Sequence, residues 1–265
     1  MPSWDARVYS AFSDERSRPF VDLLTRVGAT APRTVVDLGC GPGPLTAGLA
    51  ERWPTARVTG VDSSAAMVAA AQPYAGDRVA FVLGDLATWR AERPVDVLVS
   101  NAALQWVPDH RRLLPGFVGA LADDGWLAFQ VPGNQDATTH RTLRAVAAEP
   151  LYAEHTADLD RPAVAEPEDY LADLTALGCR VDAWETTYLH VLHGPDPVLG
   201  WLRGTAARPY LDALPEPLRA PFTEDLRRRL AQAYPAQPYG TVLPFRRLFA
   251  VARRGDAVRL PDETP

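Results

Sequence analysis

The run Val35–Gly43, VVDLGCGPG, limits what this chain can fold into more than any other stretch. Val35, Val36 and Leu38 suit a buried strand over Arg33–Leu38, with Asp37 near its carboxyl end. Gly39, Gly41 and Gly43 then form a turn into a helix over Gly43–Trp53, where Leu45, Leu49 and Trp53 share a face. Glycines belong where the backbone takes positive φ or must come within contact distance of a ligand. A strand feeding a helix through such a turn opens a doubly wound sheet and puts a ligand at the strand's carboxyl end.

The rest of the first half repeats the alternation. Strands are expected at Ala56–Val61, Val79–Leu83, Val95–Ser100 and Trp126–Val131, with helices over Ser63–Gln72 and Pro108–Leu121. Ser63 or Ser64 is suited to cap the first of these helices. Alternation of this length predicts an α/β fold with a mostly parallel sheet and helices on both faces. The second half reads differently. Residues 134–178 are helical with Pro150, Pro162 and Pro167 as punctuation. A strand over Trp184–Leu192, helices within 197–234 and a strand over Pro244–Ala252 follow, the two strands suiting an antiparallel edge pair. The expected organisation is a helical lid over 1–30, a ligand-binding core over 31–133 and a helical cap over 134–180. The last strands and a second helical insertion fill 181–254, and the tail 255–265 has no periodicity and frays.

The glycine turn fits neither register of the dinucleotide fingerprint: the sixth position is Pro44 counted from Gly39 and Thr46 counted from Gly41. Asp37 also stands two residues before the first glycine, where its carboxylate would repel a pyrophosphate and attract an ammonium. The sign of that charge favours a nucleoside carrying an amino-acid end, as in S-adenosylmethionine. Asp62 ends the second strand 19 residues beyond Gly43, where a carboxylate accepts both hydroxyls of a ribose. Ser63 follows it. Asp85 and Leu86, in LGDLATW, end the third strand, and Asp85 is placed either to accept an adenine amino group or to cap a short helix. Asn101 and Ala102, at the exit of the fourth strand, present backbone groups to the methionine end, and Trp106 faces the ligand or packs in the core.

Composition narrows the partner. Net charge is −6 and the longest run of like charge is Arg227–Arg229, a solvated helix face, so a basic nucleic-acid footprint is missing. All 27 basic residues are arginine, which removes lysine chemistry, and the absence of isoleucine alongside lysine reads as a GC-rich genome. Cys40 and Cys179 match no metal spacing, and no metal site is expected. The start MPSWDARVYS lacks the basic and apolar regions of a signal peptide, and no run of about 18 apolar residues marks a membrane span. The reading is a cytoplasmic protein, monomeric, with a small-molecule partner and neither nucleic acid nor membrane.

With VVDLGCGPG, VTGVD, GDL and DVLVSNAALQW in place, the chain resembles class I S-adenosylmethionine-dependent methyltransferases. WDARVYSAFSDERSRPFVDLL, SNAALQWVPDH, QVPGN, VDAWETTYLHVL and PFRRLFAVA make it similar, almost end to end, to the trans-aconitate 2-methyltransferase family. The resemblance implies a Rossmann-like seven-stranded sheet with an antiparallel last strand. It also implies O-methylation of a carboxylate of a small polycarboxylic acid, giving a monomethyl ester and S-adenosylhomocysteine. A carboxylate is already ionised at neutral pH, so no catalytic base is expected. Its clamps would be guanidinium, imidazole and phenol donors. The candidates are Arg16 and Arg18, Tyr188 and His190 on one face of a strand, and Arg246 and Arg247 on opposite faces of the last, with Arg246 the one assigned to substrate. Trp4, Tyr9 and Phe12 lie at near-helical spacing and read as a lid over the ligands, Trp4 and Tyr9 touching substrate. His110 and His140 read as caps or surface residues. A methyltransferase acting on a hydroxyl or carbon of another small molecule is the alternative, and a non-catalytic cofactor-binding module a third reading.

Overall fold

The computed structural model describes residues 13–157, 159 and 164–255. Seven strands carry the sheet: β1 Thr34–Leu38, β2 Arg57–Asp62, β3 Val79–Leu83, β4 Val95–Asn101, β5 Leu121–Pro132, β6 Cys179–Leu192 and β7 Thr241–Arg254. Their order is β3-β2-β1-β4-β5-β7-β6. The first five pair in parallel, and β7 runs antiparallel between β5 and β6. Val35, Val36, Leu38, Val97, Leu98 and Val99 are buried, as strands covered on both faces must be.

The helices, in chain order, are α1 Ser13–Thr25, α2 Pro44–Arg52, α3 Ala65–Ala71, α4 Leu114–Ala120, α5 Thr138–Ala147, α6 Ala153–Thr156, α7 Pro167–Ala176, α8 Pro197–Arg203, α9 Arg208–Ala213 and α10 Glu216–Ala233. Two compact units emerge. One comprises residues 13–132, 165–185 and 248–255, and the other residues 133–157, 159, 164 and 186–247. Each of β6 and β7 contributes residues to both units.

The observed elements depart from the expected ones in instructive places. The buried stripe of α2 runs through Thr46, Leu49 and Ala50, while Leu45 is half-buried, because the Thr46 hydroxyl has a buried carboxylate to bond. Ser64, not Ser63, caps α3: its Oγ accepts the Met67 N–H at 3.4 Å, and Ser63 is exposed. The expected helix over Pro108–Leu121 begins instead as a 3-10 turn over His110–Leu113. His110 is not at the surface; it is buried, its Nε2 2.7 Å from the Tyr170 hydroxyl, and burial lowers its pKa. β5, β6 and β7 all extend beyond the spans read from their apolar cores. Polar pairs lie on those extensions: Arg26 donates to Asp182 of β6 at 2.5 Å, and Arg253 of β7 donates to Asp124 of β5 at 2.9 Å. Trp4, Tyr9 and Phe12 of the expected lid, and 256–265 of the tail, lie outside the described residues, as does the side chain of Arg16.

Candidate functional site

The carboxyl ends of β1, β2, β3 and β4 bring the expected ligand-binding residues together. Asp37 is 3% exposed. Thr46 Oγ1 donates to its Oδ2 at 2.6 Å, and Oδ1 is buried with no hydrogen-bond partner among the described residues. Burial pushes the Asp37 carboxyl up to about 7; the Thr46 hydrogen bond opposes this and the charge of Asp62 adds to it.

The turn that follows has positive φ at Gly39 (81°), Gly41 (57°) and Gly43 (98°). It is tied to β2 throughout. The Gly39 and Cys40 N–H groups donate to the Val61 carbonyl at 2.7 and 3.1 Å, and Gly41 N–H donates to Asp62 Oδ2 at 2.9 Å. Asp62 Oδ1 accepts Ser64 N–H at 2.9 Å, so one carboxylate braces both the glycine turn and the start of α3. Cys40 is buried and free, its thiol pushed far up by burial and by the nearby Asp37 and Asp62 charges, which leaves it without nucleophilic character.

Two further loops close on the turn. Asp85 Oδ1 accepts Ala87 N–H at 2.9 Å, as a capping residue does, and Leu86 is buried beside Gly39. At the exit of β4, Ala102 takes φ 53°. Its N–H donates to the Gln130 carbonyl at 3.0 Å, and its own carbonyl accepts Gln105 Nε2 at 2.6 Å. Asn101 Oδ1 accepts Gln130 Nε2 at 2.5 Å. Non-glycine residues in the left-handed region are uncommon and cluster at functional sites. Trp106 ends a 3-10 turn over Leu104–Trp106 and is half-buried.

In the second unit, Tyr188 and His190 do share a buried face of β6. Arg246 and Arg247 separate as strand geometry requires. The main chain of Arg246 is held by Asn134, whose Oδ1 accepts its N–H at 2.8 Å and whose Nδ2 donates to its carbonyl at 2.9 Å. Arg247 is the buried one, its guanidinium 4.6 Å over the Phe245 ring. Arg18 is exposed on α1.

A family model described as a methyltransferase domain matches residues 35–125, the span that holds all of these loops. A trans-aconitate 2-methyltransferase of Streptomyces avermitilis is 49% identical over 263 residues, covering 96% of this chain and 98% of that protein. One of Streptomyces coelicolor is 50% identical over 265 residues, covering 96% and 87%. The chain belongs to the trans-aconitate 2-methyltransferase family. Among solved structures, a Haemonchus contortus phosphoethanolamine N-methyltransferase in complex with S-adenosyl-L-methionine superposes with TM-score 0.58 at 15% identity, covering 95% of this chain and 57% of that one. A geranyl diphosphate C-methyltransferase of Streptomyces coelicolor gives 0.54 at 16% identity, covering 94% and 82%. The expected Rossmann-like methyltransferase fold is thus the observed one.

Membership of the trans-aconitate 2-methyltransferase family also puts the QVPGN and PFRRLF motifs in context, because Asn134 of the first fixes Arg246 of the second. Thr46, Gln105 and Gln130 carried no sequence signal. Their partners are backbone groups or side chains brought in by other elements. Replacing Thr46 by valine leaves both Asp37 oxygens without a protein donor. We expect a loss of about 1–3 kcal/mol in denaturant unfolding at pH 8. The loss should shrink at pH 5, where the carboxyl is neutral; equal losses at both pH values would show that the hydroxyl does not serve the carboxylate.

Proposed function

We propose that this chain transfers a methyl group from S-adenosylmethionine to a carboxylate oxygen of trans-aconitate, giving a monomethyl ester and S-adenosylhomocysteine. The near-full-length identity to proteins named for that reaction supports the acceptor. The geometry that carries the cofactor assignment is the orphaned oxygen of Asp37: a buried, unpaired carboxylate oxygen at a strand end is a seat for an ammonium group, not for a phosphate.

The residues present fit that group. Asp37 faces the methionine ammonium, and Gly39 and Gly41 bring bare backbone to it. Asp62, with Ser63 beside it, accepts the ribose hydroxyls through lone pairs left over from its two backbone bonds. Asp85 and Leu86 flank the adenine, while Asn101, Ala102 and Trp106 border the methionine end. When bound, S-adenosylmethionine supplies a methyl group already activated on a sulfonium. The protein's part is therefore alignment and exclusion of water, with no base and no metal; positioning of this kind is worth up to roughly 7–11 kcal/mol in ideal cases. Arg18, Tyr188, His190 and Arg246 are the sequence candidates for the acceptor side, with Trp4 and Tyr9 outside the described residues.

The same reading makes the enzyme a cytoplasmic monomer, in keeping with two free buried cysteines and a net charge of −6. Among the described residues no helix is long and apolar enough to cross a membrane. The test is a labelled-methyl assay of the pure protein against trans-aconitate, other di- and tricarboxylates, and neutral hydroxyl and carbon acceptors. We expect turnover of trans-aconitate. Transfer to a neutral acceptor with none to any carboxylate would sink the acceptor assignment and leave the cofactor assignment standing.

A further inference from the structure

The unit formed by residues 186–247 together with 133–157, 159 and 164 contains a buried cluster that the cofactor turn does not account for. On β6 the Tyr188 and His190 rings lie 6.2 Å apart with planes within 6°. Trp201 of α8 also stacks on the imidazole, at 5.0 Å with the planes 28° apart, and Phe245 of β7 lies 5.8 Å from it. Phe245 meets Trp201 edge-on at 5.3 Å and supports the Arg247 guanidinium at 4.6 Å. His190 is 2% exposed and Arg247 4%. A phenol, an imidazole, an indole and a guanidinium therefore converge between apolar ring faces.

That combination is poor value as mere filling. Even a well-paired buried charge is often no better for stability than an apolar side chain of the same volume. It suits one ligand chemistry well. A guanidinium fork binds a carboxylate through two parallel hydrogen bonds. Imidazole and phenol add single donors, and flat ring walls accommodate a planar conjugated carbon chain. Arg247 is better disposed for this than Arg246, because Arg247 is buried against the Phe245 ring of the cluster, while strand alternation turns Arg246 to the opposite face of β7.

We infer that the Tyr188–His190–Trp201–Arg247 cluster is the recognition site for the carboxylates of an unsaturated di- or tricarboxylate acceptor, with Arg247 as the residue that sets specificity. The inference rests on the methyltransferase reading above.

The test compares Arg247→Met and Arg247→Lys with wild type, using Arg227→Met, a surface arginine of the same unit paired with Glu224, as the charge-loss control. Readouts are KM and kcat for trans-aconitate, calorimetric affinity for S-adenosylmethionine, and Tm. For Arg247→Met we expect KM to rise on the order of 100-fold, as when one partner of a hydrogen-bonded charge pair is removed. Cofactor affinity should stay within about twofold, and Tm within about 3 °C of wild type, since methionine keeps an apolar side chain of similar length against the Phe245 ring. Arg247→Lys keeps the charge without the fork, so its KM should lie between the two, about 10-fold above wild type. A KM within threefold of wild type in either variant overturns the inference. So does a Tm that falls with activity while cofactor affinity falls too, which is the signature of a structural role; if Arg247→Met fails to fold, the KM of Arg247→Lys decides. Wild-type protein that methylates no carboxylate defeats the parent reading first, before any variant is needed.

Discussion

Gly39→Ala is expected to abolish measurable S-adenosylmethionine binding and to destabilise the fold by about 2–5 kcal/mol, combining left-handed strain with overpacking. Both costs are on view in the turn. Gly39 sits at φ 81°, where an L-residue is strained, and a β-carbon there would fall 2.2 Å from the Ala103 Cβ. Neither side yields easily. The Gly39 N–H is held by Val61 at 2.7 Å, and the segment before Ala103 is held by Gln130 and Gln105 through the backbone of Ala102. Any relaxation must therefore move the turn off β2 or the β4 exit out of place, and both line the proposed cofactor site. A domain of ordinary stability, about 5–15 kcal/mol, survives such a loss only weakly. Denaturant unfolding and calorimetric titration are the measurements. A second substitution separates the causes: Ala103→Gly in the Gly39→Ala background removes the overlap and should restore part of the stability, leaving the φ strain. Cofactor affinity within tenfold of wild type in the single variant would contradict the site.

The second large effect concerns Asp37 and pH. Its carboxyl titrates at about 7 in the folded chain, against an ordinary value near 3.8. The folded state therefore binds more protons than the unfolded state between about pH 4 and pH 7, and stability must fall as pH rises through that window. The favourable contribution is complete below pH 4 and gone above pH 7, a swing of up to ~4 kcal/mol at 1.36 kcal/mol per unit. Asp37→Asn abolishes the titration. We expect the ligand-free variant to be more stable than wild type at pH 8 by a few kcal/mol, the gap narrowing to about 1–2 kcal/mol at pH 5. Binding should run the other way. An ammonium beside Asp37 favours the ionised form, so cofactor affinity of wild type should rise with pH up to about 7, with proton release on binding. Asp37→Asn should bind at least ~100-fold more weakly, since a buried charged contact is lost, and without the wild-type pH dependence below pH 7. Unfolding series from pH 5 to 9, and titrations in two buffers of different ionisation enthalpy, check both halves. Identical stability curves for the two proteins would show that Asp37 is not the group that titrates.

What could be read from the sequence was local. The glycine turn, its acid and the acid ending β2 announce themselves because strand, turn and helix are contiguous, and their spacing alone excludes a dinucleotide. The alternation of strands and helices predicted the sheet for the same reason. Long-range pairings were not legible. Thr46 sits in a helix whose apolar spacing advertises Leu45, Leu49 and Trp53; only Asp37, brought in by β1, makes a threonine the better buried residue. A lone His110 gives no sign of Tyr170, 60 residues away. Opposite faces for Arg246 and Arg247 follow from strand geometry. Which face is buried depends on how β7 is held, between β5 and β6 and by Asn134, 112 residues before Arg246.

The strand order has a consequence for how the chain comes to be folded. β7 lies between β5 and β6, so the last of the described strands is the wedge that joins two made earlier. Until it emerges from the ribosome, β5 keeps a bare edge and β6 has no neighbour to pair with. At synthesis rates of about 5–20 residues per second that interval lasts on the order of ten seconds. During it the nascent protein carries its nucleoside-binding loops beside an unfinished sheet, exposed to pairing with other chains. A chain that stops short of β7 therefore keeps the β5 edge and β6 unpaired, an aggregation-prone half-sheet.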